Sequence, residues 1–289
     1  MKIHFVTYGN GIYANALKRI KKEAEDFEVF DHIHVYKPSG FSLYGKNRLS
    51  RQFSRRFRGI LKMPRGAGYW IWKPCIIAEV LGKMADGDYL VYADAGCEIN
   101  SRGIDRFREY IQLLDSSEYG CLSFRMEHLP ERCWTKRDVF DYFHVGIDSD
   151  IAGSGQLIGG VILFKKCRHA VMLIDKWLST LYDDPVLFTD HCYSEDHHGE
   201  FVEHRHDQSI FSIIRKLHGS VVIPDETFYE DWSHGAGAPF LAKRQNNGSG
   251  ITFYLLGIKL LRERWYRIFP QEYRAYRKDE ASKKSSRSQ

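Results

Sequence analysis

The stretch over residues 88–98 constrains the fold more than any other part of the sequence. Residues 89–93 form a short apolar run with the β-branched and aromatic content of a buried strand. The run ends on a carboxylate, Asp94, and Gly96 follows two residues later. In open α/β sheets, ligands bind in the crevice outside the carboxyl ends of the strands, so an acid at this place indicates a ligand site. Taken alone, the stretch fits equally well a strand followed by an ordinary turn that Asp94 caps.

Strand-like and helix-like segments alternate along most of the chain, which predicts an α/β fold. The first strand leads through a Gly-containing loop at residues 9–11 into a helix, as in a nucleotide-binding unit. That loop matches neither G-x-G-x-x-G nor a Walker loop, so a dinucleotide or P-loop site has little support. The predicted strands span 2–8, 30–36, 89–93, 120–125, 159–164 and 221–223, and the predicted helices span 13–25, 74–84, 104–114, 169–182 and 206–218.

Two polar segments interrupt the alternation. Residues 46–66 carry eight Lys or Arg, and for residues 48–58 we expect a solvated basic loop. Residues 183–203 form a long polar loop rich in His and acids, for which we expect a mobile lid, since loops of this length are usually functional or disordered. A zinc site is disfavoured, because the histidine spacing matches no closed structural site and no cysteine pair accompanies it. The histidines concerned are His191, His197, His198, His204 and His206.

The beginning of the chain and its cysteines predict a cytoplasmic protein. The first residues run straight into a strand pattern, with no signal peptide, and the six cysteines show no C-x-x-C spacing, so we expect reduced thiols. No run of 18 apolar residues is present, so no membrane span is expected.

Residues 251–289 are predicted to form a separate unit, a basic amphipathic helix followed by a disordered tail. Residues 259–289 contain ten Lys or Arg and four acids, so their excess of positive charge is larger than the net charge of +5 of the whole chain. Aromatic and basic residues interleaved in this way are typical of a helix on an anionic membrane surface, which predicts peripheral contact with the inner face of the cytoplasmic membrane. The alternative is a terminal helix packed on the domain. Nucleic acid is not expected as a partner, because no nucleic-acid-binding module is recognised.

Four motifs stand in a fixed order: G-Y-W-I-W-K-P at residues 68–74, Asp94, G-G-V-I-L-F at residues 159–164, and H-D-Q-S at residues 206–209. This order resembles that of bacterial sugar-nucleotide glycosyltransferases of the GT-A fold, in particular those encoded with capsule and O-antigen genes. The resemblance covers residues 1–245. It implies a Rossmann-like mixed central sheet flanked by helices in a domain of residues 1–250, a nucleotide-diphosphate sugar donor, and commonly a divalent metal.

The chain departs from that family at the metal motif. Asp-x-Asp is the usual pattern, whereas here the residues are Asp94-Ala95-Gly96, without the second carboxylate. Mn²⁺ or Mg²⁺ under a diphosphate wants hard oxygen ligands, so other side chains would have to complete the site. The candidates are His234, which stands where some GT-A enzymes place a third ligand, and the nearer Glu98. We expect a metal, with Asp94 as its firmest ligand.

The resemblance also implies where the donor binds. Thr7 and Tyr8 end the first strand, where such enzymes hold the nucleoside, and Tyr8 would stack on the base. The cations Arg65 and Lys73 would balance the diphosphate, while Trp70 and Trp72 are expected to be packing residues. The expected donor-binding residues are Thr7, Tyr8, Arg65, Tyr69, Lys73, Asp94, Ala95, Gly159, Gly160 and Gln208.

Asp207 is the expected catalytic carboxylate, although at a helix start it could equally be a capping residue. In an inverting reaction Asp207 would take the proton of the acceptor hydroxyl as general base. In a retaining reaction it would stabilise the positive charge that develops on the sugar. The catalytic residues are therefore predicted to be Asp207 and His206, with His206 and Gln208 orienting sugar hydroxyls.

The sequence therefore predicts a glycosyltransferase of the hexosyltransferase class. It would move a sugar, most simply from a UDP donor, to a glycan or lipid-linked glycan acceptor during surface polysaccharide assembly. Two alternatives from other classes remain open on the sequence alone. One is a non-catalytic nucleotide- or glycan-binding module that has lost the second metal carboxylate, and the other is a nucleotidyltransferase.

Overall fold

A computed structural model describes residues 1–38, 47–193 and 199–245. The strands are β1 Ile3–Tyr8, β2 His32–Tyr36, β3 Tyr89–Ala93, β4 Glu98–Ile99, β5 Cys121–Pro130, β6 Gly155–Leu157, β7 Val161–Lys165, β8 Val221–Pro224 and β9 Phe240–Leu241. The helices are α1 Ala14–Asp26, α2 Arg51–Arg56, α3 Gly66–Tyr69, α4 Trp72–Leu81, α5 Ile104–Asp115, α6 Glu131–Trp134, α7 Arg137–Tyr142, α8 Asp150–Gly153, α9 Arg168–Asp183 and α10 Asp207–His218. Short 3₁₀ turns occupy Gly11–Tyr13, Ile60–Lys62, Ser101–Gly103 and Pro185–Phe188.

A mixed sheet of seven strands organises the described residues. Its order is β2-β1-β3-β7-β5-β6, and β8 also pairs with β5. β1 is parallel to both β2 and β3, whereas β7 runs antiparallel between β3 and β5. The chain goes from β1 outward to β2 and then returns to the other side of β1 as β3. The order of the strands therefore reverses between β1 and β3, the kind of place where ligands bind in open α/β sheets.

Helices cover both faces of the sheet, because successive strand residues point to opposite sides. Leu90 and Tyr92 of β3 pack on one face, in a core to which α4, α9 and α10 contribute. Tyr89, Val91 and Ala93 pack on the other face, with α1 and α5. Every residue of β3 is buried, so the strand that carries Asp94 at its end is held on both sides.

The mixed α/β architecture expected from the sequence, a central sheet flanked by helices, is confirmed. The predicted strand over 89–93 has the same ends as β3, and the other predicted strands and helices are found with shifted ends. The basic segment 48–58 was expected as a solvated loop, but it contains α2, which Ser50 caps and whose Phe53 is buried. The polar segment 183–203 is not a free lid throughout, since Leu187 and Phe188 are buried in the core.

All six cysteines are described and none forms a disulfide, as expected. In the parts of the chain that the structure describes, no helix has both the length and the apolar character needed to cross a membrane. The expected basic helix and tail over 251–289 lie outside the described residues.

The segment that ends in β9 crosses back to the region just after Asp94. β9 pairs antiparallel with β4, so that Glu98 lies opposite Leu241. The Asn100 amide donates to the carbonyl oxygens of Ala236 and Ala238, each at 2.9 Å. Gly103 lies directly under this segment, since a β-carbon there would be 2.6 Å from the Ala238 carbonyl carbon.

We predict that Gly103→Ala destabilises the fold by about 1–3 kcal/mol, because the added methyl group overlaps backbone and cannot be relieved by a side-chain rotation. Urea unfolding would measure the change. Gly59→Ala is the matched control, since a β-carbon at Gly59 has nothing within 4 Å and its φ of −63° is helical. Equal stability of the two variants would contradict the docking of this segment.

Candidate functional site

A buried ion cluster lies at the carboxyl end of β3, beside the place where the strand order reverses. Lys73 lies in the first turn of α4, Asp94 follows β3 and Asp207 begins α10, so three separate elements bring their charged side chains together. The Lys73 Nζ atom is 2.6 Å from Asp207 Oδ2 and 3.5 Å from Asp94 Oδ1. It also donates to the carbonyl oxygen of Gly159 at 2.9 Å. We call Lys73, Asp94 and Asp207 the charged cluster.

The members of the charged cluster differ in their access to solvent. The side chains of Lys73 and Asp207 are 3% and 4% exposed, whereas that of Asp94 is 36% exposed. Asp94 also accepts a 2.5 Å hydrogen bond from the hydroxyl of Tyr92, whose side chain lies against the same charged cluster. A ligand in the crevice would therefore meet Asp94 first, with the other two charges behind it.

Burial and charge set the protonation of the charged cluster. Burial alone would lower the pKa of Lys73, but the carboxylates of Asp207 and Asp94 outweigh it and hold that pKa above its usual value. Burial raises the pKa of Asp207 to about 6, despite the opposing effect of the Lys73 ammonium. At neutral pH both groups are therefore charged, and the Asp207 carboxylate is a stronger base than a solvated one. An acid with a pKa near neutrality suits proton transfer.

The helix dipoles stabilise the charge of one member of the charged cluster and destabilise the charge of another. Asp207 occupies the first residue of α10, where the helix dipole favours a negative charge. Lys73 occupies the second residue of α4, where the same dipole opposes a positive charge. The ammonium therefore depends on its carboxylate partners. Asp207 is thus more than a capping residue, since it neutralises a buried cation.

Backbone strain is concentrated around the charged cluster. Each residue from 66 to 70 has a positive φ between 53° and 99°, and three of them, Ala67, Tyr69 and Trp70, are not glycine. His206, directly before Asp207, has a φ of 53°. Its ring lies 4.9 Å from that of Tyr69 and 5.6 Å from that of Trp70, measured between centroids. Strain of this kind persists where the surrounding structure imposes it, and it clusters at functional sites.

A chain of hydrogen bonds fixes the loop before β7 to α10. The Gln208 Oε1 atom accepts from the Gly159 amide at 2.9 Å, and its Nε2 atom donates to Gln156. Gln156 in turn donates to the buried carboxylate of Glu131 at 2.8 Å. Gly160 leaves room for the Asp94 carboxylate, since a β-carbon there would lie 3.3 Å from Asp94 Oδ2. Gln208 therefore positions the loop, and its amide is largely used within the protein rather than by sugar hydroxyls.

Several expected donor-binding residues are engaged elsewhere. The expectation that Tyr8 stacks on a base is not met in this structure, because its ring is buried and stacks on Trp72 at 3.9 Å. Thr7 is fully buried. Arg65 was expected to balance a diphosphate, but its guanidinium already binds the carboxylates of Asp190 and Glu203.

Three other expected site residues are also buried. His206 is 1% exposed, and its Nδ1 atom lies 3.0 Å from the Phe188 carbonyl oxygen, so its ring does not face open solvent to orient a sugar. Tyr69 is buried against it, and Ala95 is buried with its carbonyl oxygen bound to Arg19 at 3.0 Å. Of the expected residues, the structure brings together Lys73, Asp94, Gly159, Gly160, Asp207 and Gln208.

The residues near Asp94 do not fit a divalent metal as they are placed. Lys73 and Tyr92 already engage the Oδ1 atom of Asp94. The Glu98 carboxylate binds the ammonium of Lys243 at 2.9 Å and the Gln245 amide at 2.9 Å. His234 lies in an exposed turn, where its backbone amide donates to the Asp231 carbonyl oxygen.

The rest of the described residues offers no other grouped set of metal ligands. Among them, no three His, Cys, Asp or Glu side chains are grouped so that they could hold a metal ion. Two of the histidines considered for zinc, His197 and His198, lie outside the described residues.

Several residues that shape the site were not among those expected from the sequence. Gln156 and Glu131 lie in the segment between β5 and β7, in which no sequence motif was recognised. Tyr92 looked like an ordinary strand residue, although its position two residues before Asp94 places both side chains on the same side of the chain. Arg205 stands directly before His206 and could have been singled out by that adjacency alone.

Comparison with known proteins gives remote structural likenesses. A glycosyltransferase involved in the glycosylation of the major capsid of PBCV-1 has a TM-score of 0.43 and 12% identity, over 83% of this chain and 93% of that chain. Mouse xyloside xylosyltransferase 1 in its apo form has a TM-score of 0.42 and 12% identity, over the same shares. The galactosyltransferase LgtC in complex with donor and acceptor sugar analogs has a TM-score of 0.41 and 12% identity, over 78% of this chain and 75% of that chain.

No protein-family model matches the chain, and no curated protein matches its sequence. At TM-scores below 0.5, the structural likenesses establish neither a family nor a function for the chain.

We predict that Lys73→Met destabilises the protein by about 3–5 kcal/mol at pH 8, because it leaves Asp207 buried without a counterion. The loss should be smaller at pH 5, where Asp207, with its pKa of about 6, is protonated. The Asp207 carboxyl keeps its proton to a higher pH in the folded protein than in the unfolded chain. Asp207 therefore contributes less to stability as the pH rises from about 4 to 6.

Urea unfolding at both pH values would measure this difference. Lys83→Met is the matched control, because Lys83 is 64% exposed and pairs with Glu79 on the surface. A loss for Lys73→Met no larger than that for Lys83→Met would contradict the buried ion cluster.

Proposed function

We propose that the protein is a glycosyltransferase that moves a sugar from a nucleotide-diphosphate donor to a hydroxyl group of a glycan acceptor. The observation that carries the proposal is the charged cluster, in which a buried carboxylate of raised pKa stands behind a partly exposed one. Its place at the carboxyl end of β3, next to β1, is where nucleotide ligands bind in open α/β sheets. The order of the four sequence motifs supports the same activity.

Asp207 is the proposed catalytic residue. In an inverting transfer, its carboxylate accepts the proton of the acceptor hydroxyl while that oxygen forms a bond to the anomeric carbon and the bond to the diphosphate breaks. In a retaining transfer, the same negative charge stabilises the positive charge that develops on the sugar. In both cases Lys73 holds the carboxylate in place, while Gly159 and Gly160 make room for the side chains of Gln208 and Asp94.

Substrates and location form the finer part of the proposal. UDP is the proposed nucleotide of the donor, and a glycan or lipid-linked glycan of the cell surface is the proposed acceptor. We propose a cytoplasmic protein of domain 1–250 whose segment 251–289 contacts the membrane peripherally, where a lipid-linked acceptor would be found. Because the described residues around Asp94 do not form a metal site, the proposed step uses only charges of the chain.

We predict that Asp207→Asn lowers the rate of sugar transfer by about 10²–10⁴-fold, the range that a positioned general base contributes. Binding of UDP should change little, because the amide keeps the shape of the carboxyl group. Donor hydrolysis and transfer to glycan acceptors would be measured with a panel of nucleotide sugars. Asp175→Asn on the exposed surface of α9 is the matched control.

Other outcomes of the same assay point to other functions. Binding of a nucleotide with no hydrolysis or transfer by the wild-type protein would favour a binding module. Consumption of a nucleoside triphosphate in place of a sugar nucleotide would favour a nucleotidyltransferase. An Asp207→Asn variant as active as the wild type would remove Asp207 from the mechanism.

The pH dependence of transfer gives a second test of Asp207. Since burial raises its pKa to about 6, we predict that kcat/KM of an inverting transfer falls about tenfold per pH unit below that value and levels off above it. A profile that stays flat down to pH 4 would contradict a general base with this pKa.

A further inference from the structure

The charged cluster poses a charge problem for the proposed donor. With both carboxylates ionised and one ammonium, the charged cluster carries a net charge of −1. A nucleoside diphosphate brings further negative charge to the exposed carboxylate of Asp94. Without additional positive charge, the two would repel each other at close range.

Lys73 cannot supply that charge directly. Its ammonium donates to the Gly159 carbonyl oxygen and pairs with the carboxylates of Asp207 and Asp94, so its positive charge is already neutralised within the protein. Its side chain is also only 3% exposed. Arg65 is no better placed, because its guanidinium is bound by Asp190 and Glu203.

Arg205 carries a guanidinium group with an unused donor. It stands two residues before Asp207, with its backbone amide held by the Trp134 carbonyl oxygen at 3.0 Å. Its guanidinium carbon lies 4.2 Å from the centre of the Trp134 ring. Its Nε atom is buried without a hydrogen-bond partner, and its guanidinium makes no ion pair with a carboxylate among the described residues. The residue as a whole is only partly buried, so a guanidinium that pairs with none of the described carboxylates stands within two residues of Asp207 and can accept an anion as its partner.

Arg244 lies beside Gly96, two residues after Asp94. Its Cα atom is 3.4 Å from where a β-carbon of Gly96 would be, and the next amide, of Gln245, donates to the Gly96 carbonyl oxygen at 2.9 Å. Its side chain is exposed, and its φ of 51° is unusual for a residue with a side chain.

The positive charges of Arg205 and Arg244 also repel each other. Burial lowers the pKa of Arg205, the Glu203 carboxylate opposes this, and the positive charges of Arg244 and Arg65 lower it further. Like charges held together in this way destabilise the free protein, and a bound anion relieves the repulsion.

We propose that Arg205 and Arg244 bind the diphosphate of the donor, so that the chain's own guanidinium groups take the part of a divalent metal. This inference rests on the proposed function. Guanidinium groups suit it, because their fixed, planar array of donors matches phosphate oxygens. The missing second carboxylate of the metal motif and the pairing of Glu98 with Lys243 then have one common explanation.

The test measures binding of UDP and GDP, and of uridine and guanosine as matched probes without phosphate, by calorimetry in EDTA and with added Mn²⁺. We expect a diphosphate to bind in EDTA within about twofold of its affinity in Mn²⁺. Arg205→Gln and Arg244→Gln should each weaken diphosphate binding about tenfold, the effect of one charge-assisted contact, and leave nucleoside binding unchanged. Arg108→Gln is the control, because Arg108 is 66% exposed on α5 and its loss removes the same charge. Urea unfolding of each variant confirms that it is folded.

The other outcomes separate this inference from the proposed function. Diphosphate binding that is lost in EDTA and restored by Mn²⁺, with both arginine variants like the wild type, would overturn the inference and leave the proposed function standing. The inference is also overturned, and the proposed function kept, if a diphosphate binds in EDTA but neither arginine variant weakens it. If neither UDP nor GDP binds in either condition, the proposed function fails and the inference fails with it.

Discussion

The buried contact between the Lys73 ammonium and the Asp207 carboxylate is the interaction on which the rest of the site depends. Each charge would be costly alone, because burial favours the neutral form of both groups. Paired at 2.6 Å, they tie the start of α4 to the start of α10, and the bond from Lys73 to Gly159 ties both helices to the loop before β7. Breaking such a pair leaves an uncompensated charge, which is why one substitution is expected to matter so much.

The buried charges and the strained backbone around Asp207 cost stability. Asp207 is kept charged at neutral pH in a place where its pKa is raised, and residues 66–70 and His206 are held in strained conformations around it. A hydrophobic pair at positions 73 and 207 would pack without these costs. Features that cost stability and are concentrated at one end of a sheet are most simply explained by a function at that end.

The sequence predicted the frame of the protein and part of its site. The strand before Asp94 could be predicted because a fully buried strand is a continuous apolar run. Asp207 could be singled out because it begins a strongly amphipathic helix. The pairing of Lys73 with Asp207 could not be predicted, because these residues are far apart in sequence and no local sequence pattern indicates such a contact. The burial of Tyr8 and His206 was missed for the same reason, because both look like surface polar groups until Trp72, Tyr69 and Trp70 are placed against them.

The proposed chemistry requires the donor to lie across the carboxyl ends of β1 and β3, over the charged cluster. A crystal structure of the full chain with UDP, grown in EDTA, would show whether it does. We predict density for the nucleotide in this crevice, with diphosphate oxygens within hydrogen-bond distance of Arg205 and Arg244 and the side chain of Asp207 facing the end where the sugar would be attached. Nucleotide density elsewhere on the protein, with the crevice above Asp94 filled only by water, would contradict this placement of the donor.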